Sequence, residues 1–153
     1  MIVISLNKTL QSDAKTVCGL LLAHEKLARF FNAKFSVIKQ QNPGELPGGK
    51  GTIRQVIMGG SSFQEEIMSA ELNHIRYQII GKGPVNNHQG NIYISTSKTR
   101  NCVDINYQIT CCGPFWLPDF LLQAFIKKDI AGALNKLEHH INCINNDLEK
   151  KEL

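Results

Sequence analysis

The sequence predicts an α+β fold: a seven-stranded, curved antiparallel sheet wrapped around a long C-terminal helix, with two short helices between strands 1 and 2. Two features carry this reading. The first is the segment from Leu117 to about Asn146. There Leu122, Ile126, Ile130, Ala133, Leu134, Leu137, Ile141, Ile144 and Leu148 recur three and four apart, opposite Lys127, Lys128, Lys136, Glu138 and Asn142. Some 30 residues would make a helix of roughly 45 Å, too long to leave its apolar stripe in water and too polar behind it to span a membrane. The second is a succession of alternating apolar segments joined by tight turns, whose one apolar face only that helix is long enough to cover.

The elements follow in order. Ile2 to Leu10 alternates, with Ile2, Ile4 and Leu6 on one side, and is the first strand. Ser12 and Asp13 offer N-cap oxygens to the segment 14–31, where Gly19 and the polar patch Ala23–Lys26 divide two short helices. Phe35 to Gln41 is the second strand, ended by Asn42-Pro43-Gly44 and Pro47-Gly48-Gly49. Strands then run from Gly51 to Met58, Phe63 to Ala70, His74 to Gly81 and His88 to Ser97, with a seventh from Val103 to Thr110. The turns between them are Gly59–Ser62, Glu71–Asn73, Lys82–Asn87 and Lys98–Asn101.

Length and composition bound the possibilities. The 153 residues fit one domain, 1–153, with a sizeable core. A net charge of +4, not gathered into a block, argues against a nucleic-acid partner. Five cysteines with no CxxC pair, and a first segment without a basic leader, predict a cytoplasmic, thiol-reduced protein with no stable membrane insertion.

Several local sequences resemble those of the START-like superfamily, also called SRPBCC, whose helix-grip fold wraps a curved sheet around a C-terminal helix. Leu10-Gln11-Ser12-Asp13-Ala14-Lys15-Thr16-Val17 stands where members enter the first helix, with Asp13 at the usual proline. Phe30-Phe31 stands near the usual tryptophan, Gly51-Thr52-Ile53-Arg54 matches a Gly-x-x-Arg strand opening, and Glu66-Ile67 with His74 to Ile79 matches a Glu-Val…Tyr-x-Ile pattern. The resemblance is nearest to the polyketide cyclase/dehydrase and lipid-transport branch, with the birch-pollen allergens more distant. It implies an apolar cavity between sheet and helix.

Candidate site residues follow from strand parity. A short turn at Gly59-Gly60 places Arg54, Val56 and Met58 on one face with Phe63, Glu65 and Ile67, and makes Arg54 and Glu65 cross-strand neighbours. The resemblance implies that this face is concave. The pair then either grips a polar ligand group or closes on itself as an internal or rim ion pair. Tyr77 and Ile79 on the fifth strand, Ile92 on the sixth, and Tyr107 and Ile109 on the seventh complete the expected wall. Leu122, Ile126 and Ile130 on the helix are expected nearest a ligand, and Leu137, Ile141 and Ile144 are expected as plain core.

Other constellations carry less. Cys111 and Cys112 are adjacent in a strand, point to opposite faces and cannot readily share an ion. His139 and Cys143 have i, i+4 spacing but no third ligand nearby, so no metal site is expected. His24, His74 and His88 stand isolated, and the glycines at 48–51 lack phosphate-loop spacing. Gly132 predicts a close crossing of the long helix over its neighbours.

The function expected is binding or transport of a small hydrophobic ligand (a lipid, fatty acid, isoprenoid or polyketide) without a cofactor. The alternative is a cyclase/dehydrase-type enzyme in which Arg54, Glu65 and a tyrosine supply acid–base and orienting groups. A third reading, an interaction protein, requires an interior filled by side chains.

Overall fold

The computed structural model describes residues 1–152. Strand β1 (Ile2–Leu10) leads into helix α1 (Ala14–Leu22) and a 3₁₀ segment (His24–Arg29). Six strands follow: β2 (Lys34–Lys39), β3 (Ile53–Met58), β4 (Ser61–Glu71), β5 (His74–Ile80), β6 (Asn86–Thr96) and β7 (Val103–Cys112). Helix α2 (Asp119–Glu152) closes the sequence. The seven strands form one antiparallel sheet in the order β1-β7-β6-β5-β4-β3-β2.

Local chemistry explains these boundaries. Asp13 caps α1, its Oδ1 accepting from the Thr16 backbone N–H at 2.7 Å and its Oδ2 from the Thr16 hydroxyl at 3.1 Å. Gly59 and Gly60 alone make the β3–β4 turn, with Met58 opposite Ser61. Ser61 and Ser62, expected in that turn, belong to β4, and Asn86 and Asn87, expected in a loop, belong to β6. The register shifts at Val37/Lys39, Ile67/Ser69 and Asn86/Gln89 insert bulges, which bend and twist a sheet toward closure.

The core lies between the concave face and α2. Ile2, Ile4 and Leu10 of β1 meet Ile105, Tyr107, Ile109 and Cys111 of β7, and Ile130, Ala133, Leu134, Leu137 and Ile141 of α2 seal them. Each buried isoleucine or leucine among them contributes about 1.5–3 kcal/mol. Lys8 ties β1 to α2 outside the core, donating to Asn135 at 2.9 Å and pairing with Glu138 at 3.2 Å.

Three expectations for the helix need correction. It has 34 residues and runs beyond Asn146 to Glu152. Leu148 is exposed, because the stripe outlasts the sheet that could receive it. Gly132 makes no close crossing, since a Cβ built there meets nothing within 4 Å. The second of the two short helices is 3₁₀ rather than α. No helix among the described residues is long and apolar enough to cross a membrane.

Candidate ligand cavity

The first half of α2 does not settle onto the sheet. A cavity of about 570 Å³ remains between them, within the roughly 300–1,000 Å³ typical of small-molecule sites. Its walls come from alternate residues of β3 to β7, from Leu27, Phe31 and Phe35, and from Leu122, Ile126 and Ile130 of α2. The interior is therefore not filled by side chains. All thirteen site candidates, Arg54 and Glu65 included, line this space.

The floor is polar and buried. Arg54 stands directly opposite Glu65 across β3 and β4, and both are 6% exposed. Oε1 of Glu65 accepts from Arg54 Nε at 3.0 Å and from Nη2 at 2.8 Å. Arg54 Nη1 donates to His24 Nδ1 at 2.9 Å. The guanidinium lies over the Phe35 and Tyr77 rings, at 5.2 and 5.0 Å from their centroids. Burial works against the Arg54 charge, but Glu65 and the two tyrosines outweigh it and raise its pKa.

His24 corrects the expectation of an isolated histidine. Its Nε2 lies 2.7 Å from the Gly48 carbonyl, which can only accept, so Nε2 carries the proton and Nδ1 is free to accept from Arg54. Burial, then the adjacent Arg54 charge, lowers its pKa to about 4, the Gly48 bond pulling weakly the other way. Gly48 has φ +74°, and a Cβ there would strike the Leu22 carbonyl, so glycine is what lets this loop reach the ring.

His88, also expected to be isolated, lines the cavity beside Tyr77. Its Nδ1 accepts from the Ile79 backbone N–H at 3.2 Å, and burial lowers its pKa. His74, by contrast, stacks on Tyr93 and bonds Asn91 away from the cavity.

Tyr77 and Tyr107 sit two strands apart, yet their hydroxyls hydrogen-bond to each other. Gly90 explains how. It is opposite Tyr77 on β6, and a Cβ there would overlap the Tyr77 ring, so the missing side chain lets that ring lie across β6. Burial raises both tyrosine pKa values, keeping the hydroxyls protonated.

The mouth is apolar and exposed. Pro84 and Val85 of the β5–β6 loop, Pro114, Trp116 and Leu117 of the β7–α2 loop, and Phe125 line it. Trp116 is 71% and Phe120 72% exposed, and Phe115, Leu121 and Phe125 stand out beside them. Asp129 adds one carboxylate to the wall. It accepts from Asn32 at 3.4 Å, and burial raises its pKa.

Two lining residues missed from the sequence left a signal there. Phe35 is opposite Val56, so strand parity alone includes it. Asp129 is three residues after Ile126, on the same helical face. The His24 contact had no such signal, because it depends on a 3₁₀ segment meeting a loop 24 residues away. Elsewhere, Cys111 is buried and Cys112 half-buried, on opposite faces as expected. His139 and Cys143 approach to 3.6 Å on the exposed helix, and the described residues hold no cluster of three metal-binding side chains.

A curved antiparallel sheet gripping a C-terminal helix around an apolar cavity is the START-like, helix-grip architecture. A START superfamily protein from Mycobacterium smegmatis is similar in structure, with a TM-score of 0.79 at 10% identity over 94% of this chain and 99% of that one. The protein XoxI from Bacillus cereus is similar with a TM-score of 0.72 at 14% identity, covering 95% of this chain and 99% of that chain. A protein from Thermus thermophilus reaches 0.73 at 13% identity, covering 93% and 98%. No family model and no curated protein matches the sequence. At these identities the likeness establishes the fold and leaves the activity to the site.

Proposed function

We propose that this protein binds a small hydrophobic ligand, of lipid, isoprenoid or polyketide character, in the cavity between its sheet and α2. The observation that carries the reading is the cavity itself. A void of about 570 Å³ with apolar walls forfeits the dispersion energy that a filled core would gain, and an occupant restores it. The exposed aromatic mouth supports the same reading, since it offers an apolar approach to the interior. The experiment is uptake of N-phenyl-1-naphthylamine, a neutral apolar probe, followed by its own emission and by that of Trp116, the only tryptophan. Saturable one-to-one binding that weakens in Ile126→Asp is expected. Absence of saturable uptake overturns the reading.

A cyclase/dehydrase-type enzyme is the second reading. It draws on the buried Glu65, which has an oxygen uncommitted to Arg54, beside two protonated tyrosines and a neutral histidine. Such a group can move a proton on an enolisable substrate. Turnover abolished in Glu65→Gln with ligand affinity retained selects the enzyme, and unchanged turnover removes it.

A further inference from the structure

The floor of the cavity is easily mistaken for an anion site, since a buried arginine is the usual partner of a ligand carboxylate. Here three of the arginine's five N–H donors, and most of its charge, are already committed to the protein. Its Nε and Nη2 edge clasps Glu65 Oε1, its Nη1 donates to His24, and the Phe35 and Tyr77 rings both lie within cation–π distance of it. Each of the three guanidinium nitrogens donates within the protein.

The charge balance points the same way. The lining holds one guanidinium, Arg54, against two carboxylates, Glu65 and Asp129, and no lysine. His88 lines the same space as a neutral ring, because burial disfavours its charged form. An entering carboxylate would therefore meet net negative charge in a site that strips it of water.

What the wall offers instead is a mixed set of hydrogen-bonding groups. Glu65 Oε2 takes none of the Arg54 bonds and is an acceptor. His88 accepts the Ile79 N–H at Nδ1, so its proton is on Nε2 as a donor. The Tyr77–Tyr107 pair uses one hydroxyl hydrogen internally and keeps the other, along with unused lone pairs. A polar end matching these groups donates to Glu65 and accepts from His88 or a tyrosine.

We infer that the cavity selects an uncharged amphipath whose polar end both donates and accepts hydrogen bonds, such as a long-chain alcohol, phenol or enol, over the ionised carboxylate of a fatty acid. The inference rests on the ligand-binding reading above and narrows its chemistry.

The experiment is displacement of N-phenyl-1-naphthylamine at pH 7.5 by dodecan-1-ol, dodecanoate and dodecyl methyl ether, which accepts but cannot donate. The alcohol should bind at least roughly tenfold tighter than dodecanoate and measurably tighter than the ether. Any apolar pocket disfavours a carboxylate to some degree, so variants decide the cause. Glu65→Gln removes the charge that opposes a second carboxylate, and Asp129→Asn does so at a half-buried position where folding is not at stake. Each should reduce the alcohol-to-carboxylate preference several-fold. Dodecanoate binding as tightly as the alcohol, or a preference unchanged in both variants, overturns the inference while ligand binding stands. Failure of the probe itself to bind overturns both.

Discussion

The two ends of the cavity invert the usual rule of burial. At the floor, Arg54, Glu65 and His24 are buried. At the mouth, Trp116 and Phe125 stand in solvent, with Phe115, Phe120 and Leu121 exposed next to them in the sequence. Each end forgoes stability. The floor does so because desolvating two charges consumes most of what their attraction returns, and the mouth because large apolar surface is left wet. A domain selected only for stability would exchange the two sets. On the ligand-binding reading proposed above, this arrangement sets hydrogen-bonding groups deep and apolar surface at the entrance, matching an amphipathic ligand held polar end inward.

The largest expected effect tests whether the floor is a balanced unit. Arg54→Met leaves Glu65 buried without a partner and should cost about 3–5 kcal/mol. Arg54→Met with Glu65→Leu should recover most of that loss or exceed wild type. Urea unfolding of both proteins reads the difference, and a double variant as unstable as the single one breaks the picture.

Next is pH. The His24 pKa of about 4 in the folded protein lies below the ordinary 6.5, so between those values the unfolded chain binds a proton that the folded one does not. Stability therefore rises with pH across that window, by on the order of 3 kcal/mol from this residue, and is flat below it. Unfolding at pH 4.5 and 7.5 should show a slope of this sign in wild type and a smaller one in His24→Gln, where His88, lowered by burial in the same direction, still contributes. An equal slope in both would assign it to other groups.

A smaller effect concerns the helix between the two ends. Because Gly132 touches nothing within 4 Å of a Cβ position, Gly132→Ala should stabilise the protein by about 1 kcal/mol. A loss on thermal unfolding would reveal a contact at this position.

The smallest is at the mouth. Phe125→Ser should leave stability within about 0.5 kcal/mol, because the ring is exposed. Stopped-flow release of the naphthylamine probe should nonetheless change. A large loss of stability would mean that the mouth is structural after all.

The fold was legible because its signals are periodic and local. The alternation of β7, Val103 to Thr110, can be satisfied only by a half-buried strand. The Gly59-Gly60 turn fixed the parity that sets Arg54 opposite Glu65. The floor was half legible for the same reason: pair register follows from a turn, whereas His24 reaches Arg54 only through the tertiary meeting of a 3₁₀ segment and the Gly48 loop. Gly132 misled because a mid-helix glycine has the same appearance whether it makes room for a neighbour or merely weakens the helix.

The strand order also constrains how the chain assembles. From β2 to β7 every strand pairs with its sequence neighbour, so that meander can zip up locally, through short turns from β3 onward and the longer connection 40–52 between β2 and β3. Strand β1 cannot join it early. Its register sets Ile2 opposite Cys111 and Leu10 opposite Val103, contacts that close a loop spanning most of the molecule. On the ribosome β1 emerges before any of its partner, and its apolar side must wait through the synthesis of six strands. The β7 edge, with Ile105 and Ile109, stays open until β1 arrives, which makes it the edge most exposed to wrong pairing. Ile4→Ala should accordingly speed unfolding far more than it slows folding, a low φ-value at a fully structured position.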